Sequence, residues 1–428
     1  MQRNRKTAGS LIAALDIGTT KVACVIARIL DDQNGLEIVG VGYHASSGIK
    51  NGAVIDIDAT ENSVRKAVHT AENMAAGVMK SFPLRDIILS IPGVLVKSRT
   101  HRVNVQISGH EVTENDIMRA LLKAQETAQE NIEDEHSNIQ LVHTIPTDFS
   151  LDGQSGIREP RGMYGQSLNV DVQVVGANAT AVRNYITTIE RSHLNVDEIC
   201  AAPYASALST LVEDEMDLGC TVIDMGGGIT SGAVFYNNRL IHMFSIPVGG
   251  AHVTNDIAKG VTIAVADAER IKTLYGHAMM TGSDEEEMID VTPMGERSSE
   301  SVSHIPRSYI NSIIQPRIEE IFELARAELS DSGLGHMIGR RVVLTGGASQ
   351  LSGMRDIAGK ILDKQVRLGR PVRLSGLPES LTSPEFSNVA GLIIYAMWHA
   401  NETPSEIFRI VEPGSLWERL KLWFMENW

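Results

Sequence analysis

The sequence has few of the features that mark secreted or membrane-spanning proteins. It contains only three cysteines, Cys24, Cys200 and Cys220, and none of them forms a Cys-x-x-Cys pair. This spacing disfavours a disulfide framework and predicts buried thiols in a reducing compartment. No stretch reaches the ~20 apolar residues that a membrane-spanning helix needs. The first apolar run lacks a cleavage-site pattern, so it does not indicate a signal peptide.

Basic and aromatic residues are also in short supply. Lysine and arginine number 38 against 53 acidic residues, which gives a formal net charge of −15 at pH 7. This balance disfavours a nucleic-acid partner. Aromatic residues make up only 5% of the chain, but hydrophobic residues make up 43%. A chain of 428 residues with this composition is typical of a soluble globular protein with roughly two to four domains.

The most informative stretch is Thr221–Phe235. It consists of a short apolar strand, the carboxylate of Asp224, three glycines and a second apolar strand. Glycines let backbone N–H groups approach phosphate oxygens without a side chain in the way. A carboxylate at the end of a strand is suited to holding Mg²⁺, usually through water. Taken alone, however, a Gly-Gly-Gly hairpin is more often an ordinary turn.

A second copy of the pattern favours phosphate binding over an ordinary turn. Residues Leu11–Ile26 repeat the apolar strand, an aspartate, a glycine turn with hydroxyl residues and a second strand. A duplicated hairpin predicts two related domains that face each other across a nucleotide. A third motif is the glycine pair that follows the apolar strand beginning at Arg341. These glycines would let the chain pass close over a base and a ribose. The sequence contains neither a Walker P-loop nor a strict Rossmann fingerprint.

These three blocks resemble the two phosphate motifs and the adenosine motif of the actin-like ATPase superfamily. The resemblance implies an α/β fold of the actin-like (ribonuclease H-like) type, duplicated in two domains, with ATP and Mg²⁺ as its ligands. Asp16 and Asp224 are the implied magnesium ligands, through water. The positions implied for nucleotide binding are Asp16, Gly18, Thr19, Thr20, Lys21, Asp224, Gly226, Gly227, Gly228, Thr230, Glu269, Lys272, Gly346, Gly347, Ala348 and Ser349.

Two features depend wholly on this resemblance. Glu269 and Lys272 lie at i,i+3 on a predicted helix, a spacing that alone is more typical of a solvated ion pair. Related ATPases place a glutamate just before the proline of a connecting helix, where it orients the attacking water. Here Ala202 precedes that proline, Pro203. The sequence therefore predicts ATP binding with slow or absent hydrolysis.

The segment between Pro92 and Gly165 has a different pattern, in which short strands surround a predicted helix, Asp116–Glu130. The position and character of this insert resemble the FtsA family of cell-division proteins, in which a subdomain called 1C is inserted here. The resemblance implies subdomain 1A at 10–84, 166–200 and 373–400, insert 1C at 85–165, subdomain 2A at 201–240 and 309–372, subdomain 2B at 241–308, a linker at 401–413 and a terminal helix at 414–428.

The predicted terminal helix is amphipathic. Its apolar face in helical projection carries Leu416, Trp417, Leu420, Trp423, Phe424 and Trp428. Such a stripe ordinarily packs on the protein's own core. Its position behind a linker, with three of the four tryptophans of the chain, favours a helix that lies in the membrane interface.

The FtsA resemblance implies a protein that forms filaments with itself and tethers filaments of the tubulin-like FtsZ to the membrane. It would act at the cytoplasmic face of the inner membrane, at the division site, and recruit later divisome membrane proteins, which are expected to contact the insert. The C-terminal tail of FtsZ is the implied ligand near the predicted helix Ser308–Ala327. Arg307 is the implied contact, although an arginine in this position is also typical of an ordinary surface.

Two alternatives within the superfamily remain open. A pilus-assembly actin homologue would share the fold and would differ in its partner. A small-molecule kinase would share the phosphate hairpins, but it needs a catalytic aspartate for which the sequence offers no convincing position. A chaperone-like ATPase is disfavoured because only about thirty residues follow the last predicted connecting helix, too few for a peptide-binding domain.

Overall fold

The structure, a computed structural model, describes residues 9–30, 35–79, 83–134, 138–280, 286–294, 303–335, 337–372 and 377–402. The predicted linker beyond residue 402 and the predicted membrane-facing residues of segment 414–428 lie outside this range.

The first half of the chain contains a domain and an inserted unit. The elements before the insert are β1 (Leu11–Ile17), β2 (Lys21–Ile29), β3 (Leu36–Ala45), β4 (Ile49–Lys50), β5 (Ala53–Val54), α1 (Ile57–Met79) and β6 (Asp86–Ile91). The inserted unit contains β7 (Val96–Gln106), α2 (Glu114–Asp134), β8 (Ile139–Leu151), β9 (Gln154–Ile157) and β10 (Ser167–Asn178). The chain continues as α3 (Ala179–Arg191), β11 (Asn195–Ala201), α4 (Ala202–Thr210) and α5 (Glu213–Leu218).

The second half forms another domain and a final helix. Its elements are β12 (Cys220–Met225), β13 (Thr230–Tyr236), β14 (Arg239–Ile246), α6 (Gly250–Val261), α7 (Val265–Tyr275), β15 (Met288–Val291), β16 (Ser303–Pro306), α8 (Arg307–Asp331), β17 (Arg341–Thr345), α9 (Met354–Leu362), β18 (Gln365–Leu368) and α10 (Ser387–Glu402).

The two main sheets share one topology. The first has the strand order β11-β6-β1-β2-β3 and the second has the equivalent order β18-β17-β12-β13-β14. In each sheet an antiparallel meander of three strands is extended by two parallel strands beside its first member. The central strands are almost continuously apolar because both of their faces are buried. The duplication predicted from the two hairpins is therefore confirmed.

The inserted unit has a sheet and a core of its own. Its antiparallel strands lie in the order β7-β10-β8-β9, and the apolar face of α2 packs on them. The strands of the inserted unit run from Val96 to Asn178, so its bounds differ from the predicted range of 85–165 at both ends. Strand β6 pairs with β1 in the first sheet, and β10 pairs with β7 and β8 in the insert. The alternating pattern of 168–176 predicts a strand correctly, but alternation does not say which sheet the strand joins.

Helices α4 and α10 connect the two domains and pack tightly against each other. A Cβ atom at Gly391 would overlap the carbonyl oxygen of Ala205, so glycine is required for this close approach. The Ser209 hydroxyl donates to the Ser387 carbonyl over 2.7 Å, which places the end of α4 beside the start of α10. One continuous apolar core runs from the first sheet through these helices to β12 and β13.

All three cysteines are buried and free, as predicted. Burial raises the pKa of Cys24 to about 12. Among the helices within the described ranges, none is long and apolar enough to cross a membrane.

Candidate functional site

The two predicted phosphate hairpins meet each other in the cleft between the domains. The side chain of Thr19 lies against Gly228, where an added Cβ would come within 2.5 Å of the Thr19 hydroxyl oxygen. In the same way a Cβ at Gly227 would overlap the methyl group of Thr20. Threonine side chains of the first hairpin therefore occupy the space that glycines of the second leave open.

Each hairpin turn is closed by its own backbone. The N–H of Gly18 donates to the carbonyl of Lys21, and that of Gly226 donates to the carbonyl of Ile229, both over 2.9 Å. The second turn is also held by a side chain, because the Thr230 hydroxyl donates to the carbonyl of Val248, just after β14, over 2.8 Å. The geometry of both turns is thus fixed without help from a ligand.

Asp16 lies near the end of β1 in a half-buried position. The amide of Asn388, at the start of α10, donates to its carboxylate over 2.9 Å and to the Ser90 hydroxyl over 2.8 Å. Burial raises the pKa of Asp16 to about 7; the nearby Asp224 charge adds to this rise, whereas Lys21 opposes it. A carboxylate in this environment would gain from a neighbouring cation.

Asp224 is the equivalent residue at the end of β12. The hydroxyl of Ser206 on α4 donates to its carboxylate over 2.5 Å. Burial again raises the pKa, against the opposing effects of Ser206 and Lys21. The third glycine segment borders this carboxylate, because Gly346 has a φ of +83° and a Cβ there would overlap a carboxylate oxygen of Asp224. All three predicted motifs therefore meet at Asp224.

Lys21 points from the first hairpin toward the segment that leads into α10. Its ammonium donates to the Glu385 carbonyl over 2.9 Å, lies 3.7 Å from the Glu385 carboxylate and stands 3.4 Å from the centre of the Phe386 ring. Burial lowers the pKa of Lys21, although Glu385 and both aspartates oppose that effect.

Four residues that position this site were not predicted from the sequence: Ser90, Ser206, Glu385 and Asn388. Ser206 and Asn388 are polar residues on largely apolar helices, and this contrast in the sequence could have indicated that they belong to the site.

The residues predicted to hold the nucleoside lie beside the second hairpin. The N–H of Gly250 donates to the carbonyl of Gly226 over 2.9 Å. A Cβ at Gly250 would lie 3.0 Å from the side chain of Ala348. Lys272 donates to the carbonyl of Gly250 over 3.2 Å and to the carboxylate of Glu269 over 2.7 Å. Glu269 and Lys272 are therefore at the cleft.

The predicted adenosine segment, residues 346–349, closes on itself at the same edge of the cleft. The buried hydroxyl of Ser349 donates to the carbonyl of Gly346 over 2.7 Å, so it shapes the loop. A Cβ at Gly347 would lie 3.6 Å from the Cβ of Glu385, the residue whose carbonyl binds Lys21. The loop therefore faces the segment that leads into α10.

Comparison with known proteins gives the family. A family model described as Cell division protein FtsA matches residues 221–391, and one described as SHS2 domain inserted in FTSA matches residues 93–176. The cell-division protein FtsA of Rhizobium meliloti is 38% identical, in an alignment that covers 97% of this chain and 95% of the relative. The chain belongs to the FtsA family of cell-division proteins. FtsA proteins of Pseudomonas aeruginosa and Escherichia coli K12 are 35% and 31% identical, with at least 98% of each chain covered.

Solved structures support the fold. A chain of a PilM-PilN type IV pilus biogenesis complex has a TM-score of 0.63 at 17% identity, covering 90% of this FtsA-family chain and 98% of that one. The ethanolamine utilization protein EutJ from Carboxydothermus hydrogenoformans has a TM-score of 0.50 at 15% identity, with 90% of each chain covered. The chain has the predicted actin-like ATPase fold with an FtsA-type insert.

Arg307, the predicted partner-binding residue of this FtsA-family chain, lies at the start of α8. Its guanidinium donates to the carbonyl of Tyr275 over 2.7 Å and to the carboxylate of Glu287 over 2.8 Å. Arg307 therefore joins the end of α7, Glu287 and the start of α8 within the second domain.

The donor set of the cleft fits a magnesium nucleotide. Two half-buried carboxylates, Asp16 and Asp224, lie close enough for one to raise the pKa of the other, and glycine turns border both. The described residues contain no cluster of three or more His, Cys, Asp or Glu side chains that could hold a metal ion. A magnesium ion here would take its remaining ligands from water and phosphate oxygens.

Proposed function

We propose that this FtsA-family chain binds ATP with Mg²⁺ in the cleft, forms filaments and tethers FtsZ filaments to the cytoplasmic face of the inner membrane. The observation that carries the nucleotide proposal is the meeting of two glycine-containing hairpins around two half-buried carboxylates. Paired hairpins of this kind present backbone N–H groups to phosphate from both sides.

Each part of the cleft has a role in the proposed complex. The turns at Gly18 and at 226–228 would hold phosphate oxygens, with the hydroxyls of Thr19 and Thr20 as further donors. Asp16 and Asp224 would hold hydrated Mg²⁺, which neutralises phosphate charge when bound. The segment 346–349, with Glu269 and Lys272, would hold the ribose and base.

We propose that hydrolysis is slow. Ala201 and Ala202 stand at the start of α4, where related ATPases carry a water-orienting glutamate. Phosphoryl transfer depends on positioning, so its absence removes much of the rate. Turnover of ATP by the purified chain at ordinary enzyme rates of ~10 s⁻¹ would contradict this proposal.

The membrane part of the proposal rests on the amphipathic pattern of 414–428. Each large apolar side chain that enters the interface contributes ~1.5–3 kcal/mol before the costs of ordering, so one helix binds reversibly. A filament that joins many copies binds much more tightly because each further helix is held near the lipid. Nucleotide-dependent filament formation and membrane attachment therefore reinforce each other.

Liposome co-sedimentation with ATP and Mg²⁺ tests the tether. We expect the full chain to sediment with vesicles and to form filaments on them, and a chain ending at Pro413 to stay in solution. Trp423→Glu, on the apolar face, should abolish binding, whereas Glu418→Gln, off that face, should retain it. Full binding by the truncated chain would refute the tether.

Fluorescence anisotropy with a labelled peptide of the FtsZ C-terminal tail tests the partner. We expect Arg307→Glu to weaken binding by about tenfold, since a charge-assisted contact is worth ~1.5–3 kcal/mol. Arg326→Glu, an exposed change on the same helix, is the control. Equal affinities for both variants would remove Arg307 from the binding surface.

We further propose that later divisome proteins contact the insert.

A further inference from the structure

His143 connects the insert to the junction between the two domains. It lies on β8 with only 1% of its surface exposed, although histidine is polar. Its Nε2 atom accepts a hydrogen bond of 2.9 Å from the N–H of Ala201, the last residue of β11, directly before α4. The insert therefore contacts the chain at the point where it leaves the first domain for the second.

The same imidazole packs against both connecting helices. Its ring stands edge-on to Tyr204 of α4, with ring centres 5.3 Å apart, and to Tyr395 of α10, at 5.5 Å. Tyr204 also stacks on Phe235 of the second sheet, at 6.0 Å. A movement of either helix must therefore displace His143 or break these ring contacts, because the cluster is closely packed.

Those two helices also hold the carboxylates of the cleft. Ser206 of α4 binds Asp224, and Asn388 of α10 binds Asp16. His143 is thus linked to both aspartates through single rigid helices. Coupling between distant sites is carried by packed elements of this kind when they have two arrangements.

A second contact joins the insert directly to the second domain. Arg239, at the start of β14, donates to the carbonyls of Pro146 and Arg158 over 3.3 and 2.6 Å. Its guanidinium stands 4.7 Å from the centre of the Phe149 ring. Arg158 in turn pairs with Asp217 of α5 over 3.1 Å. The insert is covalently part of the first half, so any rotation between the domains strains these contacts.

We propose that the insert senses the state of the nucleotide cleft through His143 and Arg239. Closure of the cleft on its ligand tightens the α4–α10 pair, and the insert becomes more rigid as a result. By linkage, a protein that binds and orders the insert changes nucleotide affinity by the same factor. This inference rests on the proposed ATP binding.

Hydrogen exchange of the full chain, with and without a non-hydrolysable ATP analogue and Mg²⁺, tests the proposal. We expect nucleotide to slow exchange in peptides of the two hairpins and, by about fivefold, in peptides of β8 and β10. His143→Leu removes the acceptor, and Arg239→Met removes the second contact. In each variant the slowing in the insert should fall below about twofold while the hairpins stay protected.

Two further variants separate coupling from general damage. His143→Gln keeps a hydrogen-bond acceptor and should restore part of the slowing. His101→Leu, on the edge strand β7 of the same sheet, should leave the slowing unchanged. If nucleotide protects the hairpins of the unmodified chain but does not slow exchange in the insert, the inference is overturned and the proposed ATP binding stands. Hairpins without protection would overturn it together with the proposed ATP binding.

Discussion

The two halves of the cleft share a sheet topology but contribute different chemistry. The first hairpin offers side chains, the hydroxyls of Thr19 and Thr20 and the ammonium of Lys21. The second offers almost only backbone, from the glycines at 226–228. The difference follows from the way the two hairpins pack together, since the threonines fill the space above Gly227 and Gly228.

This complementarity shows what duplication alone cannot supply. Two identical glycine hairpins would leave a gap between the domains, and two threonine-bearing hairpins would collide. Because the two copies have diverged, the first hairpin carries threonine side chains that contact the second, and the second carries glycines that leave space for them. Each hairpin is therefore adapted to its partner as well as to phosphate.

The largest effect is expected from filling the space in the second hairpin. Gly227→Val places a branched side chain where Thr20 lies, so the hairpins separate and phosphate loses donors. We expect ATP affinity, measured by calorimetry with Mg²⁺, to fall by about 100-fold, or ~2.7 kcal/mol.

Gly77→Ala provides the matched control. A Cβ at this position in α1 meets nothing within 4 Å. Alanine there should leave ATP affinity unchanged and raise stability slightly, by up to ~1 kcal/mol. Unchanged affinity in Gly227→Val would show that the close approach of the hairpins is unimportant.

A smaller effect is expected from neutralising the first carboxylate. The folded-state pKa of Asp16, about 7, lies above its unfolded value. Without ligand the folded protein therefore loses stability as the pH rises from about 4 to about 7. Asp16→Asn removes that loss, and we expect the ligand-free variant to be more stable at pH 7.5 by ~2 kcal/mol, because part of the gain is offset by the buried amide.

Thermal unfolding at two pH values measures this difference. The gain should vanish near pH 4, where the aspartate is protonated in the folded state. ATP with Mg²⁺ should stabilise the unmodified protein more than the variant. A variant that is less stable than the parent at pH 7.5 without ligand would contradict the assigned electrostatics.

The smallest effect is expected at Lys21. Lys21→Met keeps the length of the side chain and removes its charge, so the contribution of one ammonium to phosphate binding is lost. We expect about a tenfold loss of ATP affinity by calorimetry, since one charge-assisted hydrogen bond is worth ~1.5–3 kcal/mol. Lys50→Met, an exposed position in β4, is the control. A loss no larger than in the control would show that Glu385 keeps Lys21 away from the phosphates.

Much of the fold could be predicted because its signals are local. The repeated order of apolar strand, aspartate and glycine turn lies within a few residues each time, and it gave both hairpins and the duplication. The sheet that β10 joins could not be predicted, because pairing partners are set by contacts far along the chain.

The supporting residues were missed for a related reason. Ser206 and Asn388 bind carboxylates that lie 18 and 372 positions away in the chain. No periodic pattern encodes such pairs. The acidic run at 284–287 is typical of a solvated loop, and it gives no local signal for the strand β15 that follows it. In the structure a short antiparallel pair with β16 forms beside that segment.

The buried cysteines have a practical consequence for these measurements. All three thiols are enclosed, and one has a pKa near 12, so reagents that attack thiolates find little to react with at neutral pH. Two cysteines introduced on the surface, one on either side of the cleft, would therefore be the reactive positions of the folded chain. A pair of dyes attached to them could report the opening and closing of the cleft without removal of any native residue.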